Sequence, residues 1–388
     1  MTPAARISAA IEVLDAILDG AHAEKALGGW ARRSRFAGSK DRAALRDHVF
    51  GVLRCWRSYA ALGGAGTGRG LMIGALRAQG SDPEEFFTGE GHAPEPLSAA
   101  ERAAGSAPTG AARLDLPDWL WPLFEASLGD AAEDAALALR SRAPVMLRVN
   151  LRQGDSAQAI ARLANEGIVA QPHDIARTAL HVTEGERKIS GSACYNDGLV
   201  ELQDGSSQAA MARLEIAPGA RVMDYCAGGG GKVLALAARV EGAFFAHDTA
   251  PQRMKDLPVR AERAGVRVDI VETARLRDEG PFDLVLCDAP CSGSGTWRRT
   301  PEAKWALTPE RLNELTSIQR QILQDAAPLV ARGGVLVYAT CSLFADENQA
   351  TISHFLNKDP EWEIIDETRF AISEAGDGFY ISQLRKKS

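Results

Sequence analysis

The sequence predicts a multidomain α/β protein whose C-terminal half is an open, doubly wound, mostly parallel sheet. Three observations carry this. Strand and helix patterns alternate from residue 218 to the end. The strand candidates RVMDYC, GAFFAHD, VRVDIV, FDLVLCDA and GGVLVYATC contain apolar runs suited to burial on both faces. The N-terminal region shows helical spacing with no strand signal. With 388 residues the chain has room for two or three domains, each with its own core. Its 45% apolar and 24% charged content excludes a disordered chain, a fibre and a disulfide scaffold. No stretch approaches the ~18 uninterrupted apolar residues of a membrane helix. The opening MTPAARISAAIEVLDAILDG carries acids within its apolar part and reads as an amphipathic helix, not a signal peptide. The expectation is a cytoplasmic, monomeric protein with no membrane partner.

The first domain is expected over 1–125. Ile7, Ile11, Leu14, Ile17 and Leu18, then Leu45, Val49, Val52, Leu53 and Trp56, recur at helical spacing, and 71–76 continues the pattern as a helical bundle. Residues 88–114 are rich in Gly, Pro, Ala and Ser and read as a mobile surface excursion. Pro117-Asp118 then opens a helix. A small α/β linker module follows over 126–205, with helices at 129–141 and 155–166 and strands at VMLRVNL, VAQPH and ALHVT. The third domain, 206–388, has helices starting near Lys232, Ala250 and Pro309. Thr308 caps the last of these, and Pro309 occupies its first turn, where a missing N–H is harmless.

Cys55, Cys194, Cys226, Cys287, Cys291 and Cys341 form no CxxC pair and no repeated spacing, so neither a metal site nor a disulfide framework is expected. The net charge of −7 by itself argues against a nucleic-acid binder. The distribution differs from the sum: residues 1–57 hold ten Lys/Arg against six Asp/Glu, a local +4, and Arg140, Arg142, Arg148 and Arg152 form a second basic cluster. Such clusters are usually solvated faces and gain meaning only beside another signal for an RNA partner.

In doubly wound sheets, ligands sit beyond the carboxyl ends of the strands. The first strand closes on Asp224-Tyr-Cys-Ala-Gly-Gly-Gly-Gly-Lys232. Its Cys226, Ala227, Gly228, Gly229, Gly230 and Gly231 let backbone approach a ligand, and the following helix points its N–H groups at it. Asp248, after the second strand, stands at the ~20-residue offset of a ribose-binding acid. Lys232 is followed by Val, so no hydroxyl awaits the magnesium of a phosphate loop. An adenosine ligand without a long phosphate chain fits, and S-adenosyl-L-methionine is the obvious one. Two further strand ends carry cysteines: Asp288-Ala-Pro-Cys291-Ser-Gly-Ser-Gly and Thr340-Cys341-Ser342. A thiolate, a carboxyl group and a second group to assist release are what methylation at C5 of a cytosine requires. That carbon becomes nucleophilic only after a thiolate adds at C6. Cys341, Asp288 and Cys291 are of those types, and Lys232 is the nearest cation by motif to lower a cysteine pKa.

These segments resemble the RNA 5-methylcytosine methyltransferase family, whose motifs are D-x-C-A-x-P-G-G-K, DAPCSG and TCS. The chain has DYCAGGGGK, DAPCSGSG and TCSLFADEN, with RRTPEAKW at 298–305 similar to the family's RRNPxxKW. The resemblance implies a Rossmann-like S-adenosylmethionine-dependent domain, with Cys341 as nucleophile and Cys291 assisting release. DNA cytosine-5 enzymes use the PC cysteine instead; the TCS motif resembles the RNA type. LPDWL, MLRVNLRQGD and DGLVELQDGSSQ look like the linker module of bacterial small-subunit ribosomal RNA methyltransferases of the RsmB/Sun branch. SKDRAALRDHVFGVLR within 1–75 resembles their NusB-like RNA-binding domain. The implied partner is structured RNA, 16S ribosomal RNA first, with transfer RNA as the alternative. A different class is a ribosome-assembly RNA-binding protein with a degenerate cofactor site. Two departures bear on the cofactor. Gly229 replaces the loop proline, and Val271-Glu272-Thr273-Ala274 replaces the usual acid after the third strand, leaving Glu272, Thr273 or neither for the adenine. Arg253, near the ribose acid, matches a family arginine.

Overall fold

The computed structural model describes residues 1–387. The chain forms two compact units: Met1–Arg142 with Trp297–Ala306, and Ala143–Thr296 with Leu307 to the C-terminus. No helix among the described residues is long and apolar enough to cross a membrane.

The first unit is helical. Helices span Pro3–Leu18, Ala23–Arg33, Ser39–Arg54, Trp56–Gly63 and Gly68–Ala78. Thr2 caps the first, its hydroxyl accepting from the Ala5 amide, with Pro3 opening the first turn. Of the apolar positions that define the periodicity, Ile7, Leu14, Ile17, Leu45, Val49, Val52 and Leu53 are buried in one core. Each fully buried aliphatic side chain contributes roughly 1.5–3 kcal/mol. Residues 88–114 contain short helices at Ala99–Ala103 and Gly110–Arg113. Arg77 ties the first of them down by donating to the carbonyls of Glu101 and Ala104. The RRTPEAKW stretch completes this unit: Trp305 Nε1 donates to the Leu53 carbonyl, Lys304 Nζ to the Arg54 carbonyl, and Glu302 accepts from the Ala23 amide.

The second unit holds two sheets. The smaller is antiparallel, built from β1 (Val145–Val149), β2 (Val169–Pro172), β3 (Ala179–Glu184) and β4 (Val200–Leu202) in the order β2-β3-β1-β4. The helix Ser156–Asn165 packs on it. That helix opens with a capping box in which Asp155 and Gln158 satisfy each other's amides. The larger sheet contains β5 (Arg221–Asp224), β6 (Ala243–Ala246), β7 (Asp269–Ile270), β8 (Phe282–Asp288), β9 (Val330–Thr340), β10 (Trp362–Phe370) and β11 (Phe379–Lys386), ordered β10-β11-β9-β8-β5-β6-β7. The five strands β9-β8-β5-β6-β7 run parallel, and β11 and β10 add an antiparallel edge. This is the doubly wound sheet the alternation predicts. The helix expected near Ala250 is a 3-10 turn at Pro251–Met254 followed by the helix Leu257–Ala264. Thr308 caps the helix Pro309–Ala326 as expected.

Arg148 and Arg152 of the second basic cluster are structural. Buried Arg148 donates to Gln203 and to the Gly231 carbonyl, at the start of the helix that follows the glycine loop. Arg152 pairs with Glu241 and donates to the Ala237 carbonyl.

Candidate active site

Strand register gathers the site residues. Asp224 ends β5 opposite Leu286 of β8 and Ala246 of β6, and Asp288 ends β8 opposite Ala339 of β9. Cys291 lies three residues beyond Asp288, and Cys341 two beyond Ala339. The loop after β8 folds back so that the Gly295 amide donates to the Cys341 carbonyl. The two sulfurs stand 3.4 Å apart. Both cysteines are partly buried. They form a tightly coupled pair in which Cys341 takes the lower pKa. Its hydrogen bond with Cys291 is the largest cause and the Lys232 charge adds to it, against burial and the Asp288 charge. Cys291 is pushed up by the same bond and by burial.

Lys232 Nζ donates to Asp288 Oδ2 at 2.5 Å and lies 5.2 Å from the Phe379 ring. Burial works against its charge, but the Asp288 carboxylate outweighs burial and its pKa is raised. Lys232, Asp288, Cys291 and Cys341 thus form one cluster.

The glycine loop forms a second. Gly228 and Gly230 have φ of 51° and 82°, the left-handed region that favours glycine, whereas Gly229 does not. The Gly228 amide donates to Asp248 Oδ2 at 3.0 Å and the Ala250 amide to Oδ1 at 2.9 Å. Arg253 pairs with the same Oδ2 at 3.0 Å. Asp248 is almost fully buried beneath the loop. Cys226, whose thiol is pushed up by burial, and Ala227, whose amide donates to the His247 carbonyl, complete the loop. Thr273 stands at the end of β7, and its hydroxyl bonds His247 Nε2 at 2.9 Å.

Two features were not assigned from the sequence. Asp224 was quoted only as the first residue of the loop motif. It is fully buried, and neither carboxylate oxygen has a hydrogen-bond partner among the described residues. Burial, then the Asp288 charge, push its pKa up to about 7. Its position as a strand-ending acid, like Asp288, was the available signal. His247, buried with Nδ1 on the Tyr225 carbonyl, carried none. Among the described residues there is no group of three or more His, Cys, Asp or Glu able to hold a metal.

A family model described as 16S rRNA methyltransferase RsmB/F matches residues 211–385, and one for a RsmF/B-like ferredoxin-like domain matches 116–187. The Salmonella arizonae ribosomal RNA small subunit methyltransferase B is 31% identical over 293 residues, covering 72% of this chain and 68% of that protein. The probable ribosomal RNA small subunit methyltransferase B of Bacillus subtilis is 31% identical over 298 residues, covering 70% and 66%. The chain thus spans about two thirds of the length of these curated relatives. The crystal structure of PH0851 shares the fold with a TM-score of 0.77 at 24% identity, covering 100% of this chain and 99% of that one. NSun6 from Pyrococcus horikoshii, solved with SFG, shares it with a TM-score of 0.63 at 18% identity over 70% of this chain and 99% of that one. With both its large sheet and its small antiparallel module matched, and with relatives above 30% identity along most of its length, the chain belongs to the RsmB/F family of 16S rRNA methyltransferases.

Proposed function

We propose that this protein transfers a methyl group from S-adenosyl-L-methionine to C5 of a cytosine in 16S ribosomal RNA through a covalent adduct with Cys341. The observation that carries the reading is the pair of sulfurs, Cys291 and Cys341, held 3.4 Å apart beside the Lys232–Asp288 ion pair at the strand ends. The residues present fit the cofactor. The unpaired buried Asp224 carboxylate suits its ammonium group, Asp248 its ribose hydroxyls, and the open backbone at Gly228 and Gly230 a close approach. Bound there, it supplies an electrophilic methyl group.

The chain's own residues do the rest. The Cys341 thiolate adds at C6 of the ring, and the electron pair displaced from the C5–C6 bond makes C5 nucleophilic. As the thiolate adds, the proton held between Lys232 and Asp288 passes through the Asp288 carboxyl to N3, which stabilises the adduct, and it returns when the ring is restored. After methylation the C5 proton passes to solvent, its electron pair re-forms the C5–C6 double bond, and the Cys341 sulfur leaves C6 as the thiolate, with Cys291 assisting release. The cytosine must leave its stack to reach two sulfurs recessed at strand ends. The three-part organisation, with a NusB-like RNA-binding domain at 1–125, a linker module at 126–205 and the methyltransferase domain at 206–388, assigns the local +4 of residues 1–57 to RNA contact.

Bisulfite mapping of ribosomal and transfer RNA from cells with and without the protein tests this. One 16S cytosine should lose its methyl group in the deletion. Loss confined to transfer RNA would move the substrate, and no loss in either would end the reading.

A further inference from the structure

The loop that carries each cysteine is tied to one buried acid, Glu347, which the mechanism above does not use. Glu347 sits in the 3-10 turn Ala345–Glu347 and is fully buried. Its Oε1 accepts from the Ser292 amide at 2.8 Å and from Gln319 Nε2 at 2.9 Å. Its Oε2 accepts from the Ser292 hydroxyl at 2.5 Å and from the Ser342 hydroxyl. Ser292 follows Cys291, and Ser342 follows Cys341. The next residue, Asn348, brackets Cys341 from the other side: its Oδ1 accepts from the Thr340 hydroxyl, and its Nδ2 donates to the Ser342 carbonyl at 2.9 Å. Gln319 also donates to the Pro290 carbonyl, immediately before Cys291. Four donors converge on one carboxylate that contacts neither sulfur.

We propose that Glu347 is a positioning residue that sets the spacing of the two cysteine loops, and through it the 3.4 Å contact between their sulfurs. This rests on the two-cysteine reading above. A carboxylate that accepts three hydrogen bonds from the two cysteine loops and a fourth from the helix Pro309–Ala326 fixes both loops more firmly than any pairwise contact. The contact between the sulfurs is what separates the two thiols: it is the largest cause both of the raised Cys291 and of the lowered Cys341, while Lys232 lowers Cys341 and Asp288 raises it. Cys291 is the harder sulfur to ionise, through its bond to Cys341 and burial first, with the Glu347 charge acting the same way after them. With the loops held at this spacing the pair shares a proton across the sulfur contact, and Cys341 is the sulfur that ionises more readily. A methyl-transfer site with two adjacent cysteines needs this asymmetry, because a thiolate on the wrong sulfur would attack from the wrong position.

Glu347→Gln keeps the shape and removes the charge; Ser342→Ala keeps the charge and cuts the link to the Cys341 loop. Two readouts are taken on the full-length protein. The first is the ratio of iodoacetamide labelling at Cys341 to that at Cys291 without RNA, read by peptide mass spectrometry. The second is steady-state methyl transfer. Wild type should label Cys341 preferentially. Glu347→Gln should lower that ratio by roughly tenfold, the equivalent of one pKa unit. It should also lower kcat by roughly 10- to 100-fold while the KM for S-adenosylmethionine changes by less than about twofold. Ser342→Ala should lower kcat with a smaller change in labelling ratio, and it decides the matter if Glu347→Gln does not fold. Labelling ratios and kcat within about twofold of wild type in the folded variants would overturn the proposal. So would a kcat loss with an unchanged ratio in Glu347→Gln and a weakened cofactor KM, the mark of a merely structural role. Wild type inactive on RNA but with the expected labelling shift would count against the cytosine reading and leave Glu347 in place.

Discussion

Cys291 and Cys341 reach the same point from the ends of neighbouring parallel strands, with 3.4 Å between their sulfurs. Their inequivalence follows from their surroundings, since the hydrogen bond between them raises Cys291 and lowers Cys341, the Glu347 charge raises Cys291 and the Lys232 charge lowers Cys341. Cys341→Ala should reduce methyl transfer by at least roughly a thousandfold, because no other nucleophile replaces the C6 adduct. Cys291→Ala should instead retain addition and lose release, accumulating protein on RNA as a denaturation-resistant species on a gel. Full activity of Cys341→Ala would transfer the nucleophile's role to Cys291.

Asp224 gives the cofactor affinity a pH dependence. Its pKa of about 7 means that, without a partner, it is protonated at lower pH. A cationic ligand pairs with the ionised form, so S-adenosylmethionine should bind more tightly as pH rises through about 7. Calorimetric titration across that range should show the trend in wild type, with weaker and pH-flat binding in Asp224→Asn. Equal affinity at all pH values in wild type would contradict the assignment.

Gly295 packs backbone to backbone against Gly378. A Cβ at residue 295 would lie 2.2 Å from the Gly378 carbonyl oxygen, an atom with no rotamer to escape into. Gly295→Ala should therefore displace the 291–296 loop, lower stability by about 1–3 kcal/mol in urea and reduce turnover by misplacing Cys291. Unchanged stability would show that the loop has slack.

Lys304 is a buried lysine whose pKa burial lowers from 10.5 to about 8. Between those values the unfolded chain binds the proton and the folded chain does not, so stability contributed by this site rises with pH. Below about pH 8 the penalty of burying the charge is fully present. The stability of wild type relative to Lys304→Met should therefore climb between pH 8 and 10.5, measured by denaturant titration. A difference independent of pH would mean that Lys304 titrates as an exposed lysine does.

Much of the site was legible because a doubly wound sheet places ligands at strand ends, and strand ends can be read from where apolar runs stop. Asp288 and Cys341 were found in that way, and Asp248 from its spacing, whereas Asp224 was quoted at a strand end without being given a role. The long-range packing was not. β10 escaped because it is mostly exposed or half-buried at the sheet's edge, with Ile364 and Ile365 both exposed, so no buried apolar run announces it; β11, buried from Phe379 to Leu384, was passed over although its run was readable. The RRTPEAKW stretch reads as part of the sheet domain by position in the chain, yet its Lys304 and Trp305 find their partners at Arg54 and Leu53, about 250 residues earlier. Glu347 lay in plain view within TCSLFADEN, but a residue whose partners sit on other segments shows its purpose only once those segments meet.

The most direct measurement is peptide mapping of the RNA-linked species formed by Cys291→Ala with unmodified 16S ribosomal RNA and S-adenosylmethionine. The nucleotide should be found on the peptide containing Cys341, joined through its sulfur to a 5-methylated cytosine. A nucleotide on any other residue, or no linked species from an enzyme that binds the cofactor and the RNA, would contradict the mechanism.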